Sequence, residues 1–447
     1  MTKNLAEGEP AKLIFFFTIP LLAGNIFQQL YALIDTLLVG RFLGVEALAS
    51  VGCTGALMFL VLGFIIGFTT GLTIHTGQRF GAGDRAGVRR SAAACAMLSL
   101  LVSIVLTALG LISCRALLVL MQTPPEILEG AYDFIRIVYG GISMFVFFQT
   151  QMNLMRALGN SRTPTLLMGA GVTINIVFEL IAIPLMGWGI PGAAAATIAS
   201  QFVANLIGLA YIWKRVPDLH TRRRDWIFSR RICWEHLRIA LPMGFQSAVI
   251  AVGAVILQVA LNGFGPAAIA AFSASQKIES IAMMPMMSFG IAMAAYTAQN
   301  YGAGKFHRIA DGVRKCAMMS VLFSVAVAFV LITFGTSLMA LFVGAGEAEI
   351  LAYGQEYLVI NGVCYWILSL LFVFRYTLQG LGQSVVPTIA GIMELVMRAA
   401  AAIVLCDWLG YVGACMASPM AWIGSCVPLA IAYVWTRRSL LAKSEIK

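Results

Sequence analysis

The sequence predicts an all-α integral membrane protein with about twelve transmembrane helices in two pseudo-symmetric six-helix bundles. Composition is the first reason: the 447 residues are 60% hydrophobic and only 11% charged, whereas soluble domains are roughly half apolar and a quarter charged. The second reason is that apolar runs of about 20 residues recur along the chain, whereas β-barrel strands are about 10 residues long and alternate in polarity. The third is that motifs of the first half return in the second.

The predicted spans follow the apolar runs in chain order. The first run is too long for a cleavable signal peptide and lacks a small-residue cleavage site, so we expect it to remain as a span. The twelve predicted spans are residues 13–39, 47–76, 91–114, 131–153, 164–186, 190–213, 236–262, 267–297, 315–343, 354–378, 387–408 and 412–435.

Basic residues predict how the spans are oriented. Lys and Arg are concentrated in the termini and in every second loop, whereas the alternate loops offer only Arg41 and Arg115. The positive-inside rule therefore predicts an even number of spans, with both termini cytoplasmic, in the cell (inner or plasma) membrane. The net charge of +10 has the same cause and favours contact with the anionic lipid bilayer, so we expect no nucleic-acid partner.

Two motifs of the first half return in the second half in the same order, about 220 residues later. The stretch QRFGAGDRAGVRR at 78–90 matches QNYGAGKFHRIADGVRK at 299–315, and ALGNSRTPT at 157–165 matches GLGQSVVPT at 380–388. An even number of spans per half gives both halves the same orientation, with a symmetry axis along the membrane normal. We predict an N-terminal lobe of residues 1–213, a cytoplasmic basic linker of residues 214–235 and a C-terminal lobe of residues 236–447.

Ionisable side chains inside spans are functional candidates, because a charge at the bilayer centre costs at least about 2.5–3.5 kcal/mol. In the first lobe, Asp35 and Glu179 have no basic neighbour in their own spans. Asn175 precedes Glu179 by one helical turn on the same face, and Thr197 could add a hydroxyl. These four residues are the predicted cation-coupling site, because such oxygen groups facing one cavity suit a proton or Na⁺ equally well. Alternatively, Asp35 lies near the outer mouth of its helix and only contacts water.

The second lobe carries opposite charges at helical spacing. Glu394 and Arg398 are four residues apart and are predicted to form an ion pair, with either a structural or a functional role. The sequence MMPMM predicts either an adaptable substrate cavity or ordinary packing. The residues of this possible cavity are Met283, Met284, Met286, Met287 and Gln258.

Neither a catalytic metal nor a redox centre is predicted. The nine Cys show no CxxC spacing and the four His are dispersed, so we expect no cofactor and no metal ion beyond Na⁺ at the coupling site. GAGD at 81–84 resembles the signature of intramembrane aspartyl proteases, but its repeat partner is GAGK and it lies in an Arg-rich loop. We interpret it as a tight turn.

Several motifs together resemble the multidrug and toxic compound extrusion (MATE) transporters. They are LYALIDTLLVGRFLG in span 1, the two GAG loops, ALGNSRTP and GLGQSVVP, and NIVFE in span 5. The resemblance covers essentially the whole chain and implies antiport, in which an H⁺ or Na⁺ gradient drives export of organic, mostly cationic and amphipathic compounds. The sequence is similar to the prokaryotic branch of the family, whose cation site lies in the N-terminal lobe. The resemblance implies that Asp35, Asn175, Glu179 and Thr197 are the cation-coupling residues, with Glu179 in place of the Asp of that branch. It also implies that Pro20 is the kink of helix 1.

Two other functions stay open. A flippase for lipid-linked saccharides from the same superfamily would need cations facing the cavity, for which Arg136, Lys277 and Arg398 are candidates. An intramembrane enzyme is the less favoured alternative, because the sequence contains no acid pair at recognisable spacing and no nucleophile motif. For the transporter we expect a monomer.

Overall fold

The computed structural model describes residues 4–226, 229–344 and 346–445, and these residues form helices, turns and loops without a β-strand. The predicted all-helical class is therefore confirmed. In chain order the helices are α1 (Pro10–Cys53), α2 (Gly55–Gly81), α3 (Arg85–Leu120), α4 (Pro125–Gly140), α5 (Ile142–Ala157), α6 (Arg162–Leu180), α7 (Gly189–Arg215), α8 (Arg230–Leu261), α9 (Pro266–Gly302), α10 (Phe306–Val343), α11 (Ala348–Gly380), α12 (Val385–Leu409) and α13 (Tyr411–Glu445).

Most of these helices are long and apolar enough to cross a membrane. Within the described residues, 10 helices satisfy this condition, and the bent pair of α4 and α5 makes an eleventh span if it is counted as one. Helix α8 lies at the position of the seventh predicted span. The helix count is thus consistent with twelve spans.

The fourth predicted span differs from a single straight helix. Residues 131–153 were expected to be continuous, but α4 and α5 meet at an angle of 48°. Gly141 separates them with φ −96° and ψ 10°, outside the helical range. A Cβ at this position would lie 2.3 Å from Cδ1 of Ile198 in α7. Close approach of α7 thus explains why the break carries a glycine, and apolar periodicity alone cannot reveal it.

Duplication of the halves is visible in the backbone of the repeated loops. Gly83 has φ 72° and Gly304, about 220 residues later, has φ 69°. Both stand in GAG loops between consecutive helices, in the left-handed region that other residues rarely adopt. The tight-turn interpretation of the GAGD stretch agrees with this geometry.

Two compact units divide the chain, one comprising mainly Ala23–Gly244 and the other Leu5–Leu22 with Phe245–Lys447. We call them the first and second units. Helices α1 and α8 each contribute one part to each unit. The predicted lobe boundaries, which keep residues 5–22 with the first half, stay a prediction.

The N-terminal segment joins the second unit through its backbone. The amide of Leu5 donates to Oε1 of Gln299 at 2.7 Å, and Asn300 donates through Nδ2 to the Leu5 carbonyl at 3.2 Å. Lys305 donates to the carbonyl of Ala6 at 2.9 Å, and Arg308 donates to that of Gly8 at 2.9 Å. The donors flank the GAGK loop. Backbone groups that would otherwise need water thus find partners in the second unit.

Candidate ion-coupling site and the buried charges

Three helices of the first unit bring the four predicted coupling residues together. Asp35 lies on α1, Asn175 and Glu179 lie one turn apart on α6, and Thr197 lies on α7. Helices α1 and α6 approach closely at Gly24, where a Cβ would lie 3.3 Å from the sulfur of Met168. Further along α1, Asp35 interacts with Glu179 of α6.

The carboxyl groups of Asp35 and Glu179 are neighbours, and the side chain of Asn175 interacts with Glu179. Asn175, Glu179 and Thr197 are buried, with exposed fractions of 1%, 0% and 5%. Asp35 is partly exposed. The site therefore combines a partly exposed acid, Asp35, with a fully buried acid, Glu179.

Several polar atoms at this site are buried without a partner of hydrogen-bond geometry among the described residues. They are Oδ1 of Asp35, both side-chain polar atoms of Asn175 and both carboxyl oxygens of Glu179. Two ionised carboxylates in contact repel each other, and leaving them unpaired away from water is costly. A proton shared between the acids would convert the repulsion into a hydrogen bond, and a bound Na⁺ would neutralise it.

Tyr31 is a member of the site that sequence reasoning missed. Its hydroxyl lies 3.3 Å from Oγ1 of Thr197, and it interacts electrostatically with both Asp35 and Glu179. Because Thr197 donates to the carbonyl of Ala193 at 3.1 Å, the tyrosine is the donor between the two hydroxyls. The Tyr31 oxygen then keeps its lone pairs as a further hard ligand. The sequence signal was the four-residue spacing between Tyr31 and Asp35.

Pro20 stands apart from this cluster in the structure. It lies inside α1, in the part of that helix that belongs to the second unit, two residues before the last residue of that part, Leu22. Proline has no amide hydrogen to donate to the carbonyl of Phe16, so the helix is weakened there. Its predicted role as the kink of α1 stays a prediction.

The predicted methionine cavity is divided between packing and accessible positions. Met284 and Met286 are buried, with exposed fractions of 9% and 0%, and Met286 belongs to the apolar core of the second unit. Met283 and Met287 are partly exposed. The side chain of Gln258 lies outside the part of the chain that the structure describes. Contact of these residues with a substrate stays a prediction, and Met283 and Met287 are the better placed.

A larger charge network surrounds the predicted pair of Glu394 and Arg398 in the second unit. Arg398 lies 3.2 Å from Oε1 of Glu394, and Arg375 lies 2.7 Å from Oε2 of the same carboxylate. Arg375 also donates to the hydroxyl of Ser425 at 2.9 Å. Gly253 leaves room for this arrangement, since a Cβ there would lie 3.0 Å from Nη1 of Arg398.

Glu279 completes the network on the side of α9 and α11. Tyr357 donates to its Oε2 at 2.6 Å, and Tyr365 and Arg398 interact with the same carboxylate. Two carboxylates thus face two guanidinium groups, all buried. Such a balanced set lacks the uncompensated negative charge that makes the Asp35–Glu179 pair suited to a cation.

The other basic residues considered for a phosphate-bearing substrate lie in different surroundings. Arg136 is 3.1 Å from Oδ1 of Asp133 and is half exposed, with its guanidinium 5.3 Å from the ring centroid of Tyr132. Lys277 is exposed on α9. No group of three or more His, Cys, Asp or Glu side chains that could hold a metal ion occurs among the residues that the structure describes.

Comparison with known proteins shows similarity to membrane transporters over most of the chain. The family model described as MatE matches residues 20–181 and 242–404, once in each half. The probable multidrug resistance protein YpnP of Bacillus subtilis is 28% identical over 437 residues, which cover 97% of each protein. A FAD transporter of Shewanella oneidensis is 23% identical over 400 residues, covering 88% of this chain and 87% of that one. An outward-facing multidrug resistance MATE family transporter of the MOP superfamily superposes with a TM-score of 0.90 at 25% identity, covering 100% of this chain and 99% of the other.

Proposed function

Since the chain belongs to the MatE family of membrane transporters, we propose that it is a secondary active efflux transporter. It exchanges H⁺ or Na⁺ for organic, mostly cationic and amphipathic compounds by alternating access. The observation that carries the proposal is that the carboxyl groups of Asp35 and Glu179 are neighbours, with no basic side chain among the described groups that interact with them. Membership of a transporter family sets the membrane-enzyme alternative aside.

Coupling follows from the two charge states of this acid pair. With both acids ionised, the pair carries two negative charges and favours an organic cation nearby. When a proton or Na⁺ binds between Asp35 and Glu179, that attraction disappears and the cation is released. Because each ligand lowers the affinity for the other by the same factor, ion influx can drive drug efflux.

Conformational change is proposed to run through α1. Asp35 and Tyr31 lie on this helix, and Thr197 and Glu179 lie on neighbouring helices. Pro20 weakens α1 about four turns before Asp35. Removing the repulsion between the acids lets the segment around Asp35 move toward α6 and α7. Such a movement narrows the space between these helices and displaces the bound compound.

Efflux from proteoliposomes tests the proposal. A fluorescent organic cation is loaded, and a pH gradient or, separately, a Na⁺ gradient is imposed on wild type, Asp35→Asn and Glu179→Gln. The matched control is Asp407→Asn, which removes an exposed carboxylate at the end of α12. We expect one gradient to drive efflux in wild type and the control, and neither gradient to do so in the two site variants. Unaltered coupled efflux in Asp35→Asn would contradict the assignment.

The flippase alternative has less support. Two of its three candidate cations already have carboxylate partners, Arg136 with Asp133 and Arg398 with Glu394. The third candidate, Lys277, is exposed and has no ion pair among the described residues. Because one relative is named a FAD transporter, FAD belongs in the substrate panel beside organic cations. Efflux of FAD with no efflux of cations would redirect the proposal toward anionic substrates.

The remaining parts of the proposal concern the membrane and the assembly state. We propose a monomer with both termini on the cytoplasmic side of the cell membrane, because the basic loops follow the positive-inside rule. Labelling of intact cells tests the orientation, with single cysteines placed at residue 4 or near the C-terminus of the protein. Light scattering of the detergent-solubilised protein gives its molecular mass and so tests whether it is a monomer.

A further inference from the structure

A small polar cavity opens beside the GAGD loop of the first unit, remote in sequence from the coupling residues. Its volume is about 160 Å³, well above the roughly 30 Å³ that one water molecule takes in the liquid. It can therefore admit a group of several heavy atoms. The polar side chains that line it include His75, Arg79, Arg90, Ser91, Arg231 and His236.

Positive charge dominates the rim of this cavity. Three guanidinium groups line it against a single carboxylate, that of Glu235. Arg231 lies 3.2 Å from Glu235, and Arg79 lies 3.4 Å from Asp84, but both arginines are more than half exposed. Such exposed pairs contribute little and rearrange readily. Arg90 is exposed and has no ion pair among the residues described.

The floor of the cavity is fixed by hydrogen bonds between α2, α3 and α8. Nε2 of His236 lies 2.8 Å from the hydroxyl of Ser91, and Nδ1 donates to the carbonyl of Ile232 at 2.9 Å. Nε2 of His75 donates to the carbonyl of Glu235 at 2.9 Å. The two imidazole rings are 5.3 Å apart. This network holds the helices that carry the arginines, so the site is preorganised.

In the corresponding loop of the second repeat, the basic side chains have different partners. There Lys305 and Arg308 donate to backbone carbonyls of Ala6 and Gly8. Those two donors are thus engaged by the chain itself. In the first repeat, Arg79 and Arg231 are paired with partly exposed carboxylates, and Arg90 has no ion pair among the described residues. All three therefore remain available to an outside anion.

We propose that this cavity binds a phosphate mono- or diester group, held by Arg79, Arg90 and Arg231. Planar guanidinium groups donate paired hydrogen bonds to phosphate oxygens, and basic pockets between helices near a membrane surface suit anionic headgroups. A cation at Glu235 is disfavoured because three positive groups surround it. The bound group comes either from an anionic lipid or from a free phosphate ester. The inference is independent of the proposed transport function.

Binding measurements on the full-length protein test the site. Native mass spectrometry counts bound phosphatidylglycerol and phosphatidylcholine on detergent-solubilised protein, and calorimetry measures inorganic pyrophosphate at fixed ionic strength. The test variant is Arg90→Gln with Arg231→Gln. The charge-matched control is Arg314→Gln with Arg438→Gln, two exposed arginines of the second unit. Thermal melting verifies that both variants fold. If the double test variant does not fold, the single variant Arg90→Gln replaces it.

We expect wild type and control to bind the anion equally and the test variant to bind at least about tenfold more weakly, since hydrogen bonds to charged groups are lost. Binding of phosphatidylglycerol without binding of pyrophosphate identifies a lipid headgroup as the source, and binding of pyrophosphate without phosphatidylglycerol identifies a soluble phosphate. Equal losses in the test and control variants, or undiminished binding in the test variant, would overturn the proposal. So would binding of neither probe to wild type.

Discussion

The hydroxyl of Tyr31 on α1 lies 3.3 Å from that of Thr197 on α7. This contact connects the helix that carries Asp35 to a helix that begins more than 150 residues later in the chain. It orients an aromatic hydroxyl beside the two acids of the proposed coupling site. The role of that hydroxyl can be separated from the role of the acids themselves.

Replacing Tyr31 by Phe is expected to weaken ion coupling without abolishing it. The change removes one hydroxyl ligand and its hydrogen bond, worth about 0.5–1.5 kcal/mol, so the half-saturating concentration of the coupling ion should rise by roughly two- to tenfold. Efflux measured against graded pH or Na⁺ gives this concentration. Tyr132→Phe on α4 is the control, and an equal effect of both changes would remove Tyr31 from the site.

Substitutions of Glu179 test whether the length and the charge of this side chain are needed for ion coupling. The resemblance to MATE transporters implies an Asp here, so Glu179→Asp is expected to keep gradient-driven efflux with an altered ion affinity, whereas Glu179→Gln should lose it. The reason is that the shorter carboxylate still supplies charge beside Asp35, and the amide does not. Efflux rates under each gradient separate the two variants. If Glu179→Gln transports as well as Glu179→Asp, charge at this position is not required.

The network around Glu394 is expected to support the fold of the second unit. Glu394→Gln leaves Arg375 and Arg398 buried without a full counter-charge, which should cost about 3–5 kcal/mol of unfolding free energy. The control is Glu129→Gln, because Arg115 and Glu129 also meet at 2.7 Å but are exposed, and such pairs contribute about 0–1 kcal/mol. Denaturant unfolding in detergent measures both. Similar small losses would show that the buried network contributes little.

Asn300 is expected to hold the N-terminal segment in place. It donates to the carbonyl of Leu5 and accepts from Nε of Arg308 at 3.0 Å. Asn300→Leu removes both bonds, so amides of residues 5–8 should exchange with deuterium roughly tenfold faster or more. Hydrogen exchange with mass spectrometry resolves this segment. Gln383→Leu, which removes an exposed bond to Thr436, is the control, and unchanged exchange in Asn300→Leu would contradict the prediction.

Much of the candidate site was predictable because its signals are local. Asn175 and Glu179 share a helix face through their spacing alone, and an unpaired acid in an apolar run makes Asp35 a functional candidate. The ion pair of Glu394 and Arg398 has the same local basis. Arg375 also lies in an apolar span, but its contact with Glu394 joins α11 to α12, and no sequence periodicity predicts a contact between two helices.

The sequence by itself determined the membrane class, the helical spans, the duplication and the acids of the first lobe, since hydropathy and helical periodicity act over short stretches of chain. Only the tertiary structure decided that Tyr31 meets Thr197, that the fourth span breaks at Gly141 and that residues 5–22 pack with the second unit. Each of these depends on partners far away in the sequence. Side-chain shape and hydrogen bonding between distant helices select such partners, and neither leaves a regular pattern in the order of residues.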